Sequence, residues 1–184
     1  GKVRLAVVSG LSGSGKTVAL RTLEDLGFYC IDNLPPSLLK SLADHALGGG
    51  ETRFPRLAVG IDARTASGDP NELPQAFSHL AELGLPPFLL FLDARDDVLL
   101  KRFSETRRRH PLGCEGISLS DAIARERVLL KSVRQIADAE IDDGRCRAQT
   151  ATATFRRQHR LMSIRVTGGE KPAGTRTGGE QCQS

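Results

Sequence analysis

Eight consecutive residues, Gly10-Leu11-Ser12-Gly13-Ser14-Gly15-Lys16-Thr17, carry the most chemical information in this chain. They fit the spacing G-x-x-x-x-G-K-[ST], which turns a run of backbone N–H groups toward one bound phosphate. Glycines supply the backbone freedom that such a turn demands. A helix opening at Lys16 aims its positive end at the same anion. The Lys16 ammonium reaches the β- and γ-phosphates and offsets the charge that develops there, which makes it the catalytic candidate. The Thr17 hydroxyl is placed for Mg²⁺. At this chain's glycine, lysine, serine and threonine content, a chance match arises roughly 1% of the time. The alternative, a glycine-rich hairpin with a surface lysine, demands neither the apolar strand that precedes the run nor the helical pattern that follows it.

A metal shell needs a second oxygen donor from a neighbouring strand end. Phe88-Leu-Leu-Phe-Leu-Asp93 is an apolar run closed by an acid, so Asp93 is the expected partner of Thr17 at Mg²⁺. Asp62 (after Leu57–Ile61) and Asp32 (after Phe28–Ile31) have the same setting, and all three are expected at the carboxyl edge of the sheet. Each could equally be a helix N-cap. Asp62-Ala63-Arg64-Thr65 places an acid and a cation together, a pair that can contact a ribose, a base or a γ-phosphate, or simply close a loop. Arg102, Arg107, Arg108 and Arg109 could fold over phosphates as a lid or form a solvated helix end. His110, just before Pro111, lacks a second ligand at metal spacing.

The elements that must position these groups alternate between strand and helix. Val3–Ser9 reads as a buried strand, Lys16–Leu26 as a helix stopped by Gly27, and Phe28–Asp32 as a short strand. Pro35 and Pro36 start a helix that runs through Ser37–Leu47. Leu57–Asp62 is a third strand, Pro70–Leu83 a helix, Phe88–Asp93 a fourth strand and Asp96–Phe103 the opening of another helix. Ser118 and Asp121 form a capping box for a helix to about Ala137, and Ala139–Asp142 begins a fifth strand. Such alternation means a parallel sheet with helices on both faces, an α/β three-layer sandwich.

Several segments together resemble the bacterial RapZ/YvcJ family of nucleotide-binding proteins. They are Val8–Thr17, Leu23-Glu-Asp-Leu-Gly-Phe-Tyr-Cys-Ile-Asp-Asn-Leu-Pro35, Ile61-Asp-Ala-Arg64, Leu90-Phe-Leu-Asp-Ala94 and Arg102-Phe-Ser-Glu-Thr-Arg-Arg-Arg-His-Pro-Leu112. The resemblance runs in order to about residue 142. It implies a P-loop NTPase domain of kinase-like type that binds and slowly hydrolyses ATP and GTP, with ATP at Gly10–Thr17 and GTP at Asp62, Ala63, Arg64 and Thr65. Some family members act as RNase adapters that bind small RNAs, and that role is assigned to a C-terminal domain with no counterpart here. RNA binding is therefore doubtful for this chain.

Composition bounds the rest. The 184 residues suit one domain. Eighteen Lys and Arg against 20 Asp and Glu give residues 1–143 a net charge of −2, whereas eight against two give residues 144–184 a net +6. That basic stretch is poor in large apolar residues and reads as a disordered tail. The abrupt change within a matching domain leads to the expectation that residues 144–184 are read out of frame or belong to a truncated gene. Four dispersed cysteines with no C-x-x-C pair argue against a disulfide scaffold and point to a reducing cytoplasm. No apolar run is long enough to span a bilayer. Three functions remain: a weak ATPase/GTPase with a regulatory role, a P-loop kinase of a small molecule, and an RNA-binding adapter. The acidic balance of residues 1–143 and the single tyrosine with no tryptophan count against the last.

Overall fold

The computed structural model describes residues 4–48, 54–63, 69 and 71–142. Residues 144–184, with the expectations placed on them, lie outside the described residues, as do Arg64 and Thr65. The strands are β1 (Arg4–Gly10), β2 (Tyr29–Ile31), β3 (Arg56–Gly60), β4 (Phe88–Asp93) and β5 (Ala139–Asp142). The helices are α1 (Lys16–Asp25), α2 (Leu39–Leu47), α3 (Glu72–Glu82), α4 (Asp96–Thr106), α5 (Leu119–Leu129) and α6 (Lys131–Gln135). All strand pairs are parallel, in the order β2-β3-β1-β4-β5.

The strand sequences explain the layers. Successive side chains on a strand point to opposite faces. Ala6, Val8, Ala58, Leu90 and Leu92 pack on one face beneath Ala19, Leu20 and Leu23 of α1. Leu5, Val7, Leu57, Val59, Leu89 and Phe91 pack on the other, against Leu39, Leu80, Leu99, Ile123 and Val133 of the remaining helices. The central strands are buried on both sides, which is why they read as continuous apolar runs rather than alternating ones.

The expected elements are present, with local differences. Pro36–Leu38 form a short 3₁₀ turn before α2. The long helix expected after Ser118 breaks at Leu130, whose backbone (φ −88°, ψ 4°) leaves the helical region. Leu130 and Val133 are both buried, so the bend keeps the apolar face of α6 on the core. The Ser118 cap is formed, its Oγ accepting from the Asp121 N–H at 3.1 Å. At the centre of the sheet Gly10 pairs with Leu92. Its φ is +144°, and a Cβ there would lie 2.1 Å from the Leu92 carbonyl oxygen. Only glycine lets β1 pass so close to β4 while the chain turns out of the strand.

Candidate functional site

The loop from Gly10 to Thr17 leaves β1 at the carboxyl edge of the sheet and feeds directly into α1. Leu11 N–H donates to Leu92 O (3.1 Å) and Ser14 N–H to Leu11 O (3.0 Å), which curls the loop back on itself. Gly15, at φ 107°, occupies the N-cap of α1, and no side chain caps that helix end. Nor is there an acid in its first turn. The helix thus presents its N-terminal N–H groups and its positive end with neither a side-chain cap nor a first-turn acid of its own. Ser14 Oγ is buried without a hydrogen-bond partner, the one such side-chain atom among the described residues. A buried polar atom of this kind in a loop that faces a cleft fits a ligand oxygen arriving from outside.

Lys16 folds over the loop. Its Nζ donates to Gly10 O (2.8 Å) and Leu11 O (3.2 Å). It also stands 3.4 Å from Asp62 Oδ1, with the two side chains 12% and 19% exposed. Asp62 follows β3, the strand beside β1, so the register of the sheet delivers it to the lysine. Asp32 follows β2, one strand further out. Its Oδ1 accepts from Asn33 N–H at 2.8 Å. A Cβ on Gly60 would lie 2.5 Å from that same oxygen, so glycine at the end of β3 makes room for the Asp32 carboxylate.

These groups line one cleft of about 640 Å³, together with Ser12, Gly13, Gly15 and Thr17. The opposite wall is Arg102, Phe103 and Thr106 of α4, followed by Arg108, Arg109 and Pro111. Arg102 Nη1 donates to Gly13 O at 2.6 Å and so ties that wall to the loop. Arg107 ends α4 in the left-handed conformation, φ 49°, where the chain turns toward His110. The cleft is therefore cationic at Lys16 and along the arginine wall, and acidic at Asp32 and Asp62. Its size suits a nucleotide-sized ligand.

Asp93 is placed differently. It ends β4 at the same edge of the sheet but is 5% exposed, and both carboxylate oxygens are engaged. Oδ1 accepts from Arg127 Nη1 at 2.6 Å and from Ala94 N–H at 2.7 Å. Oδ2 lies 3.0 Å from Arg134 Nη1. Burial opposes the charge on Arg127, yet hydrogen bonds to Asp96 and Asp93 outweigh it and hold the guanidinium's pKa above its ordinary value. Arg134 is held up as well, first by its hydrogen bond to Glu140. Of the three strand-end acids, the structure brings Asp32 and Asp62 to the cleft and ties Asp93 into this ion-pair cluster.

Sequence reasoning passed over Glu126. It is fully buried on α5, where its carboxylate accepts from Ser12 N–H (2.9 Å), Ser12 Oγ–H (2.6 Å) and the His110 ring (3.0 Å). The signal was its position, an acid three residues after Ile123 and four before Leu130 on the apolar stripe of a helix.

Comparison with known proteins fits this geometry. The model of the RapZ-like N-terminal domain matches residues 3–161. The chain belongs to that family. A curated relative from Halorhodospira halophila, named a nucleotide-binding protein, is 48% identical over 166 residues, covering 90% of this chain and 55% of that one. The chain spans about half the length of the curated relatives it matches. Among solved structures, shikimate kinase from Bacteroides thetaiotaomicron aligns with a TM-score of 0.54 at 14% identity, over 87% of this chain and 98% of that one. The YorR protein of Bacillus subtilis, solved in complex with phosphorylated GDP, aligns with a TM-score of 0.56 at 14% identity, over 90% of this chain and 99% of that one. Both likenesses are of fold. With the geometry of the loop between β1 and α1, they give this chain a P-loop, kinase-like fold. No helix among the described residues is long and apolar enough to cross a membrane.

Proposed function

We propose that this protein binds purine nucleoside triphosphates, ATP and GTP, in the cleft of Lys16 and turns them over slowly in a regulatory role in the cytoplasm. One observation carries the reading: an uncapped α1 N-terminus, reached through a glycine-rich loop, faces a cleft that holds the Lys16 ammonium. Backbone N–H groups there would cradle the phosphates, and Lys16 would exchange its loop carbonyls for β- and γ-phosphate oxygens. Arg102, Arg108 and Arg109 stand across the cleft to meet the outer phosphates.

The donor set fits magnesium. Thr17 and Asp62 offer hard oxygens in the cleft, with Asp32 beside them, and Mg²⁺ is ordinarily held by one or two protein oxygens plus phosphates. Bound there, the ion would offset charge on the β- and γ-phosphates. Asp93, the acid expected from sequence, would first have to give up Arg127 and Arg134. Asp62, the first residue of the Asp62–Thr65 segment implied for GTP, stands 3.4 Å from Lys16. ATP and GTP are therefore expected to compete for one cleft.

Calorimetric titration tests this reading. Mg-ATP and Mg-GTP should each release heat, each should displace the other, and Lys16→Ala should abolish both signals. No heat from either nucleotide overturns the assignment. The arginine wall also favours a second reading, phosphoryl transfer to a small acceptor, as in the kinases that share the fold. ATP consumption that requires an added hydroxyl or phosphate acceptor would decide for it. An RNA-adapter role predicts steeply salt-dependent RNA binding that survives deletion of residues 144–184.

A further inference from the structure

We infer that Glu126, together with His110, is the positioning residue that sets the phosphate loop against the arginine wall; this rests on the proposed use of that loop for phosphate. Glu126 is fully buried, and its His110 neighbour is 2% exposed at the side chain. The Leu112 N–H donates to His110 Nδ1 at 3.1 Å, which assigns the ring proton to Nε2. That proton is directed at Glu126 Oε2, 3.0 Å away. The same carboxylate takes both donors of Ser12, N–H and Oγ–H. One side chain on α5 thus joins the loop to the segment that carries Arg107, Arg108 and Arg109. The His110 ring packs on Phe103 of the cleft wall, with centroids 5.1 Å apart. The Ser12 N–H is committed to Glu126, which leaves the phosphate to the N–H groups further along the loop.

Electrostatics makes the role separable from simple charge. A buried carboxylate behind a phosphate site repels the ligand, so removal of its charge alone strengthens phosphate binding. Loss of its tether weakens it. Glutamine keeps the tether: its carbonyl oxygen can accept from Ser12 N–H and His110 Nε2–H while its amide donates to Ser12 Oγ. Alanine removes tether and charge together.

Pyrophosphate and Mg-ATP are titrated into the full chain, the wild type and the variants Glu126→Gln, Glu126→Ala and Ser12→Ala, with circular dichroism confirming the folded state. Glu126→Ala should bind both ligands about 10- to 100-fold more weakly, the loss expected for hydrogen bonds to a charged group. The two ligands should weaken by the same factor, because the nucleoside does not meet the tether. Glu126→Gln should match the wild type or bind more tightly. Ser12→Ala, which loses only the Oγ arm and serves if Glu126→Ala fails to fold, should weaken pyrophosphate by about threefold to tenfold. Wild-type affinity in folded Glu126→Ala, or in Ser12→Ala, overturns the inference. So does a Glu126→Gln protein as weak as Glu126→Ala. A wild type that binds neither pyrophosphate nor Mg-ATP overturns the nucleotide reading itself.

Discussion

β1 divides the sheet into two halves whose strand-end acids behave in opposite ways. On the β3–β2 side, Asp62 and Asp32 line the cleft, and Asp62 shares its charge with a lysine that belongs to the phosphate loop. On the β4–β5 side, Asp93 sits between Arg127 and Arg134, buried and saturated. Both halves carry the same local sequence, an apolar strand closed by aspartate. The difference comes from the cation that later chain delivers. α5 and α6 bring two guanidinium groups to the end of β4, and this clamp fixes both helices to the sheet. At the end of β3, Asp62 meets Lys16, whose reach is limited by the loop it also closes. Whether an acid at a strand end lines the cleft or joins an ion-pair cluster follows the cation that reaches it, and that cation lies far away in sequence.

The largest effect should come from the open side. Lys16→Ala removes the cation that would meet the phosphates, and the affinity for Mg-ATP should fall by more than about 100-fold. The unliganded melting temperature should fall only modestly, since what is lost is two hydrogen bonds to loop carbonyls and one ion pair with Asp62. A large loss of stability in this variant would mean that the lysine is a structural clamp like Arg127, and the contrast between the halves would disappear.

Asp93→Ala probes the closed side. It takes from Arg127 and Arg134 the carboxylate they share, leaving them Asp96 and Glu140, and orphans the Ala94 N–H. Removing one partner of a buried ion pair costs about 3–5 kcal/mol; here the arginines are 31% and 44% exposed, so about 2 kcal/mol is expected in urea unfolding. Nucleotide affinity of the folded fraction should be unchanged. A loss of Mg²⁺-dependent binding without a loss of stability would show that Asp93 serves the metal after all. Asp62→Asn should do the reverse, with stability held and the gain in ATP affinity on adding Mg²⁺ reduced about tenfold.

Much of this contrast was out of reach of the sequence for a definite reason. The loop, the alternation of strands and helices, the ends of β4 and the Ser118 cap depend on neighbours within a few residues, and all were legible. The cleft membership of Asp62 was legible as an acid at a strand end, but its preference over Asp93 was not. That depends on strand order, which puts β3 and β4 on opposite sides of β1, and on Arg127 and Arg134. The sequence places His110 where its helix breaks but gives no sign of its partner, because Glu126 lies 16 residues on and belongs to another element. A break at Leu130 was likewise hidden, since every residue from Leu119 to Gln135 is compatible with one helix, and the core decides where it bends.

The smallest effect should appear at the thin edge of the open side. β2 is three residues long and, among the described residues, pairs with β3 alone, so its thiol reports on how well that edge holds. Cys30 Sγ–H points at Leu20 O, 3.3 Å away. Burial, aided by the Glu24 carboxylate, pushes this thiol up to about 11 from an ordinary 9.0. The folded state thus keeps its proton where the unfolded chain has lost it. Stability tied to this group is complete below pH 9 and drains away as the pH rises from 9 toward about 11. Urea unfolding at steps across that window should show the wild type losing stability faster than Cys30→Ala, with the two curves parallel below pH 9. In the same window iodoacetamide should modify exposed Cys114 well before Cys30. If Cys30 reacts as fast as Cys114 in that window, β2 opens freely, and the edge next to the cleft is looser than the Asp62 geometry requires.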